Sequence, residues 1–87
     1  MADTVQILLV DTGKTPITFE KMELPANDRE RIHDTILSAL NRLGKLAHAL
    51  LKYQGEYWVA DHTARKGPSK DYFKHKVKYH PYMKELV

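Results

Sequence analysis

The chain has 87 residues and no cysteine, which suits a single domain and excludes disulfides, cysteine-zinc sites and thiol nucleophiles. No apolar run reaches membrane-spanning length and no signal-peptide pattern opens the chain, so we expect a soluble, cytoplasmic protein that binds no membrane. The formal net charge is +3, but residues 63–87 carry seven Lys and Arg against two acidic residues. Such an asymmetry is typical of a segment that binds a polyanionic partner or of a well-solvated surface.

The first predicted element is a β-hairpin over residues 4–24. Residues 4–10 form a short run rich in Ile, Leu and Val, and Asp11 to Pro16 supply turn chemistry. Residues 17–24 begin with strand-like alternation, which slips between Phe19 and Met22. A bulge near Glu20 would reconcile the two halves of this second strand.

The turn of this hairpin contains two short sequences that resemble enzyme motifs. Gly13-Lys14-Thr15 matches the last three residues of the phosphate-binding P-loop motif. That motif also requires a glycine five residues before Gly13, and this position is occupied by Leu8. Leu9-Val10-Asp11-Thr12-Gly13 resembles the active-site strand and loop of retropepsin-like aspartic proteases, in which two such carboxylates share a proton. The resemblance covers about the first quarter of the chain, and no glycine-rich flap follows it. We expect a turn in which Asp11 caps its own backbone.

One long amphipathic helix is predicted over residues 28–53. Asn27 is a suitable N-cap with Glu30 three residues later, and apolar residues recur at helical spacing from Ile32 to Leu51. Gly55 is expected to end the helix. At roughly 39 Å this helix is longer than a domain of this size. It would therefore either bend at Gly44 or pack against a second copy in a homodimer.

A basic hairpin is predicted over residues 56–80, followed by a short tail at 81–87. Glu56 to Thr63 is rich in strand formers, and residues 73–80 alternate, with Lys74, Lys76 and Lys78 on one face. The predicted fold is therefore α+β: a two-layer ββαββ domain with an antiparallel sheet and the helix packed on one face.

No catalytic or metal-binding set is predicted, and no cofactor is expected. The two serines lie outside any nucleophile-elbow context, and the acidic residues are scattered. Asp61, His62, His75 and His80 could meet if the last two strands pair, but His75 and His80 fall on opposite faces of a regular strand. We therefore expect a protein that is not an enzyme.

The strongest functional signal is the mixture of basic and aromatic residues near the C-terminus. Lysines contact phosphates, and aromatic rings on a sheet stack on unpaired bases. The predicted contact residues are Arg65, Lys66, Lys70, Lys74, Lys76, Lys78, Trp58, Tyr72 and Tyr79. The expected partner is a nucleic acid or a nucleoprotein complex. The alternative is a phage-encoded or mobile-element-encoded inhibitor or adaptor that binds an acidic surface of a host protein. The same pattern would arise if the lysines prevented edge-to-edge aggregation of the sheet and the aromatic residues filled the core.

Overall fold

In the part of the chain that the structure describes, five antiparallel strands form one sheet in the order β2-β1-β3-β4-β5. The computed structural model describes residues 3–65 and 71–86. The strands are β1 (Thr4–Asp11), β2 (Thr18–Pro25), β3 (Ala47–Tyr53), β4 (Glu56–Val59) and β5 (Lys76–Val77). The helices of the described chain are α1 (Arg29–Leu43), α2 (Asp61–Arg65) and a 3-10 turn, Met83–Leu86. The α+β class and the antiparallel sheet are confirmed, whereas the ββαββ order with a single helix is wrong.

The N-terminal hairpin forms as predicted, but without a bulge. β1 and β2 pair continuously from Thr4 opposite Pro25 to Asp11 opposite Thr18. The Asp11 carboxylate accepts a hydrogen bond from the backbone N–H of Gly13 at 3.0 Å, which confirms the predicted turn. The alternation of apolar residues along β2 is interrupted because both faces of the sheet are covered. Phe19 lies on one face and Met22 on the other, so each has apolar neighbours.

The predicted helix over residues 28–53 is wrong in its second half. α1 begins after Asp28, whose side chain accepts a hydrogen bond from the N–H of Arg31 at 3.1 Å. It ends at Leu43 because Gly44 has φ +98°, and the Gly44 N–H donates to the Leu40 carbonyl at 2.8 Å. The 15-residue helix is about 22 Å long, so it fits the molecular dimensions of 38 × 28 × 21 Å. The excess length that suggested a homodimer through the helix is therefore absent.

Residues 47–53 form β3 rather than helix because they pair on both sides in the middle of the sheet. Val10 pairs with His48, and Leu51 pairs with Trp58. Ala49 and Leu50 are fully buried on opposite faces. A strand covered on both faces is apolar at nearly every position, and such a run also matches helical spacing.

The predicted basic hairpin is also shorter than expected. The strand predicted over residues 56–63 ends at Val59, and Asp61 begins the short helix α2. Of the strand predicted over residues 73–80, only Lys76 and Val77 pair with β4. The preceding Tyr72 turns into the core, so the alternation of this segment does not extend into a longer ladder.

The sheet carries a hydrophobic core on each face. The helix face buries Ile7, Leu9 and Leu51 of the sheet against Ile36 of α1. The opposite face buries Leu8, Val10 and Leu50 beneath the C-terminal residues, including Leu86. Within residues 3–65 and 71–86, no helix has the length and apolar character needed to cross a membrane.

Candidate functional site

Residues 71–86 run around the β4 edge of the sheet from one core to the other, and we call them the C-terminal strap. On the helix face, Tyr72 is only 2% exposed and shares a 2.6 Å hydrogen bond with Nδ1 of His33 on α1. The next ring, Phe73, packs 5.1 Å from the Tyr53 ring and 5.4 Å from the Trp58 ring, measured between centroids. These contacts fix the start of the strap.

Backbone pairing fixes the middle of the strap against β4. The Val59 N–H donates to the His75 carbonyl at 2.9 Å, and Val77 pairs with Tyr57. Because direct partners share a face, Lys76 lies on the helix face beside Trp58, and Val77 lies on the opposite face. The two-residue strand β5 therefore holds the backbone between Lys74 and Lys78 against β4.

The end of the strap is fixed on the opposite face. The Tyr82 ring packs edge-on against Phe19 with centroids 5.8 Å apart. Leu86 is 3% exposed in the core beside Leu50, and Lys52 Nζ donates to the Leu86 carbonyl at 3.2 Å. The strap is thus anchored at both ends and in the middle.

The residues between these anchors carry the exposed charge of the strap. Lys74, Lys76 and Lys78 are exposed, and Tyr79 is 76% exposed, the highest value among the exposed large apolar side chains of the described residues. Lys76 forms a 2.6 Å ion pair with Glu56 on β4. Lys74 and Lys78 form no ion pair within the described part of the chain. Their ammonium groups are therefore not neutralised by an acidic side chain there.

The structure does not bring all the predicted contact residues to this surface. Tyr72 is buried, and Trp58 is half-buried in the helix-face core. Arg65 lies on α2, where its guanidinium donates to the carbonyls of Gly44 and Ala47 at 3.0 and 2.8 Å. These bonds hold the loop between α1 and β3. Lys66 and Lys70 lie outside the described residues.

Histidines gather at the end of the sheet where α2 begins. Nδ1 of His48 lies 3.3 Å from a carboxylate oxygen of Asp61, whose other oxygen accepts the Ala49 N–H at 3.4 Å. The rings of His62 and His75 stack edge-on with centroids 4.7 Å apart. Among residues 3–65 and 71–86, no group of three or more His, Cys, Asp or Glu side chains has the arrangement of a metal site.

His80 connects the strap to this histidine group. Its Nδ1 accepts a hydrogen bond from the Tyr82 N–H at 3.3 Å, which requires the unprotonated nitrogen. Burial lowers the pKa of His80 below 6.5, and positive charge on His48 lowers it further, whereas Asp61 acts in the opposite direction. The neutral ring is therefore the form that fits the folded strap.

The lowered pKa of His80 predicts a pH-dependent stability of the fold. Between that pKa and 6.5 the unfolded chain binds more protons than the folded chain, so the free energy of unfolding should rise with pH across this interval. Urea unfolding of the wild type and of His80→Gln from pH 5 to pH 8 measures this contribution. The substitution should reduce the slope below pH 6.5, and equal slopes for both proteins would contradict the prediction.

Comparison of the chain with protein-family models, with curated proteins and with solved structures gives no match.

Proposed function

We propose that the protein is a small non-enzymatic binding module whose C-terminal strap contacts a polyanionic partner, a nucleic acid or a nucleoprotein complex. The observation that supports this most directly is the exposure of Lys74, Lys78 and Tyr79 on a segment anchored at both ends. An anchored backbone loses little conformational entropy when its side chains engage a ligand, so the cost of binding is reduced.

The lysines are the groups that would contact phosphates. Each Lys that neutralises a phosphate releases condensed counterions, which gives an affinity independent of sequence and sensitive to salt. Lys76 can also take part, because an exposed ion pair such as Lys76–Glu56 contributes only about 0–1 kcal/mol and is readily exchanged for a phosphate.

Tyr79 favours single-stranded over double-stranded nucleic acid. A ring that is 76% exposed offers a face for a base, and stacking of a base on an aromatic side chain contributes about 1–3 kcal/mol. A base inside a duplex is already stacked on its neighbours, so an unpaired base offers its face to the ring at a lower cost. The neighbouring Lys78 would lie beside the phosphates that flank the stacked base. We therefore propose an unpaired stretch of DNA or RNA as the ligand.

The salt dependence of binding tests the role of the lysines. The association constant for a fluorescent oligonucleotide is measured by anisotropy at several salt concentrations for the wild type and for Lys74→Ala/Lys78→Ala. Loss of two phosphate contacts should reduce the slope of log K against log salt by about 1.4 for a single strand. Tyr79→Ala should instead lower affinity at every salt concentration without changing the slope.

The matched control is Lys14→Ala/Lys45→Ala, which removes the same charge from exposed loops outside the strap. An equal loss of slope in this control would show that binding follows net charge and not the strap. Absence of binding to single-stranded DNA and RNA at low salt would end the nucleic-acid proposal. A host protein that co-purifies after nuclease treatment would then favour the alternative, an inhibitor or adaptor that binds protein.

A further inference from the structure

The outer side of β2 is a long sheet edge that no strand of the described chain covers. β2 has eight residues and, among the described strands, pairs only with β1, whereas β5, at the opposite edge, has two residues. The register with β1 is regular over the full length of β2. Apart from Pro25 at its end, the strand contains no proline, so its outward backbone groups are available to a further strand.

We propose that β2 pairs with β2 of a second copy, in an antiparallel register centred on Met22. Joining two identical edges gives a two-fold symmetric interface that closes on itself. The two-fold axis of such a pairing is perpendicular to the sheet, so residues opposite each other come from the same face. Because neighbouring residues of a strand point to opposite faces, the pairing must be centred on one residue.

Charge selects Met22 among the four central residues of β2. A register centred on Glu20, Lys21 or Glu23 places that residue opposite its own copy, which brings like charges together. The register centred on Met22 places Lys21 opposite Glu23 of the second copy, and symmetry repeats this pair. Lys21 and Glu23 are both exposed and form no ion pair within the described residues.

The surroundings of β2 leave room for the second strand. A groove on the helix face runs between Met22 and the wall of α1, and the middle of that wall consists of the small side chains of Thr35, Ser38 and Ala39. A second groove, on the opposite face, is lined by Lys21, Glu23 and the end of the strap. Arg42 also lines the helix-face groove, and its guanidinium forms a 3.0 Å ion pair with Glu20 of β2.

The ends of the register place apolar groups together. Phe19 is 41% exposed and would lie opposite Pro25 of the second copy, on the same face as the Lys21–Glu23 pairs. Five residues of each strand, from Glu20 to Leu24, would then be paired through the backbone, because Pro25 has no N–H and its carbonyl already accepts the Asp28 N–H at 3.2 Å. The two sheets would become one continuous sheet, and the exposed edge would be removed in both copies.

Reciprocal charge exchange tests this register. The mass of the wild type is measured by sedimentation equilibrium across a range of concentrations, and it should rise toward that of two chains. Lys21→Glu and Glu23→Lys alone should each weaken self-association by about tenfold, because each places like charges opposite each other twice. An equimolar mixture of the two variants should associate again, because every pair across the interface is then complementary. The double variant Lys21→Glu/Glu23→Lys, which carries both substitutions in the same chain, should also self-associate.

The mixture protects the test against misfolding, because two damaged variants would not recover association on mixing. Lys14→Glu, outside the strand, is the control and should leave self-association unchanged. A wild type that is monomeric at all concentrations would overturn the proposal. Self-association that neither single variant weakens, or a mixture that stays monomeric, would overturn it as well.

Discussion

Replacing Tyr72 with Ala should lower the free energy of unfolding by about 3–5 kcal/mol, the usual cost of removing a buried aromatic side chain. Tyr72 is 2% exposed, and it is the residue that fixes the start of the C-terminal strap against α1. The substitution removes its packing in the helix-face core and its hydrogen bond to His33. Chemical denaturation monitored by circular dichroism gives the size of the loss.

Tyr72→Phe separates the hydrogen bond from the packing. It keeps the ring but leaves Nδ1 of His33 without its 2.6 Å partner, which should cost about 1–3 kcal/mol. Burial raises the pKa of Tyr72 to about 12, and the charge of Asp34 adds to this effect. The stability that comes from the protonated phenol is therefore complete below pH 10 and is lost as the pH rises through 12. Tyr72→Phe should remove this alkaline dependence.

The matched comparison for this position is Tyr79→Ala, because Tyr79 lies on the same strap but is 76% exposed. It should change the free energy of unfolding by less than about 0.5 kcal/mol. Equal losses for Tyr72→Ala and Tyr79→Ala would contradict the assignment of Tyr72 as the anchor and of Tyr79 as a surface residue.

Local signals were sufficient for most of the N-terminal half of the fold, although the bulge predicted near Glu20 does not form. The apolar run of β1, the Asp11–Gly13 turn and the start of α1 depend on residues close together in the sequence, and all three form. Even so, the N-cap is Asp28 and not Asn27, a one-residue difference between two suitable capping side chains.

β3 could not be predicted from local signals because its structure depends on its neighbours in the sheet. Four of the five residues from Ala47 to Leu51 are Ala or Leu, which are good helix formers, and the apolar spacing continues the stripe of α1. Pairing with β1 on one side and β4 on the other makes them a central strand. The sequence signal for this change is Gly44, where a bend was one of two explanations for the predicted length of the helix; the helix instead ends there.

The candidate site could be predicted in composition but not in arrangement. The density of lysine and aromatic residues near the C-terminus is visible in the sequence, and Lys74, Lys76, Lys78 and Tyr79 are exposed. The sequence could not separate Tyr79 from Tyr72, because tyrosines that belong to a core and to a surface have the same local pattern. Their difference comes from the path of the strap around the β4 edge.

Replacing Gly44 with Ala should destabilise the protein by about 1–3 kcal/mol, the cost of holding a residue with a Cβ in a sparsely populated backbone region. Gly44 has φ +98° and ψ −170°, and among the described residues no atom outside the adjoining backbone lies within 4 Å of a Cβ built at this position. The cost would therefore be conformational, with no steric clash involved. In a helix continuing through residue 44 the same substitution would stabilise the protein by about 1 kcal/mol. The sign of the change in the urea midpoint therefore distinguishes a helix that ends at Leu43 from one that continues through residue 44. Lys45→Ala, one residue away on the surface, is the control and should change the midpoint little.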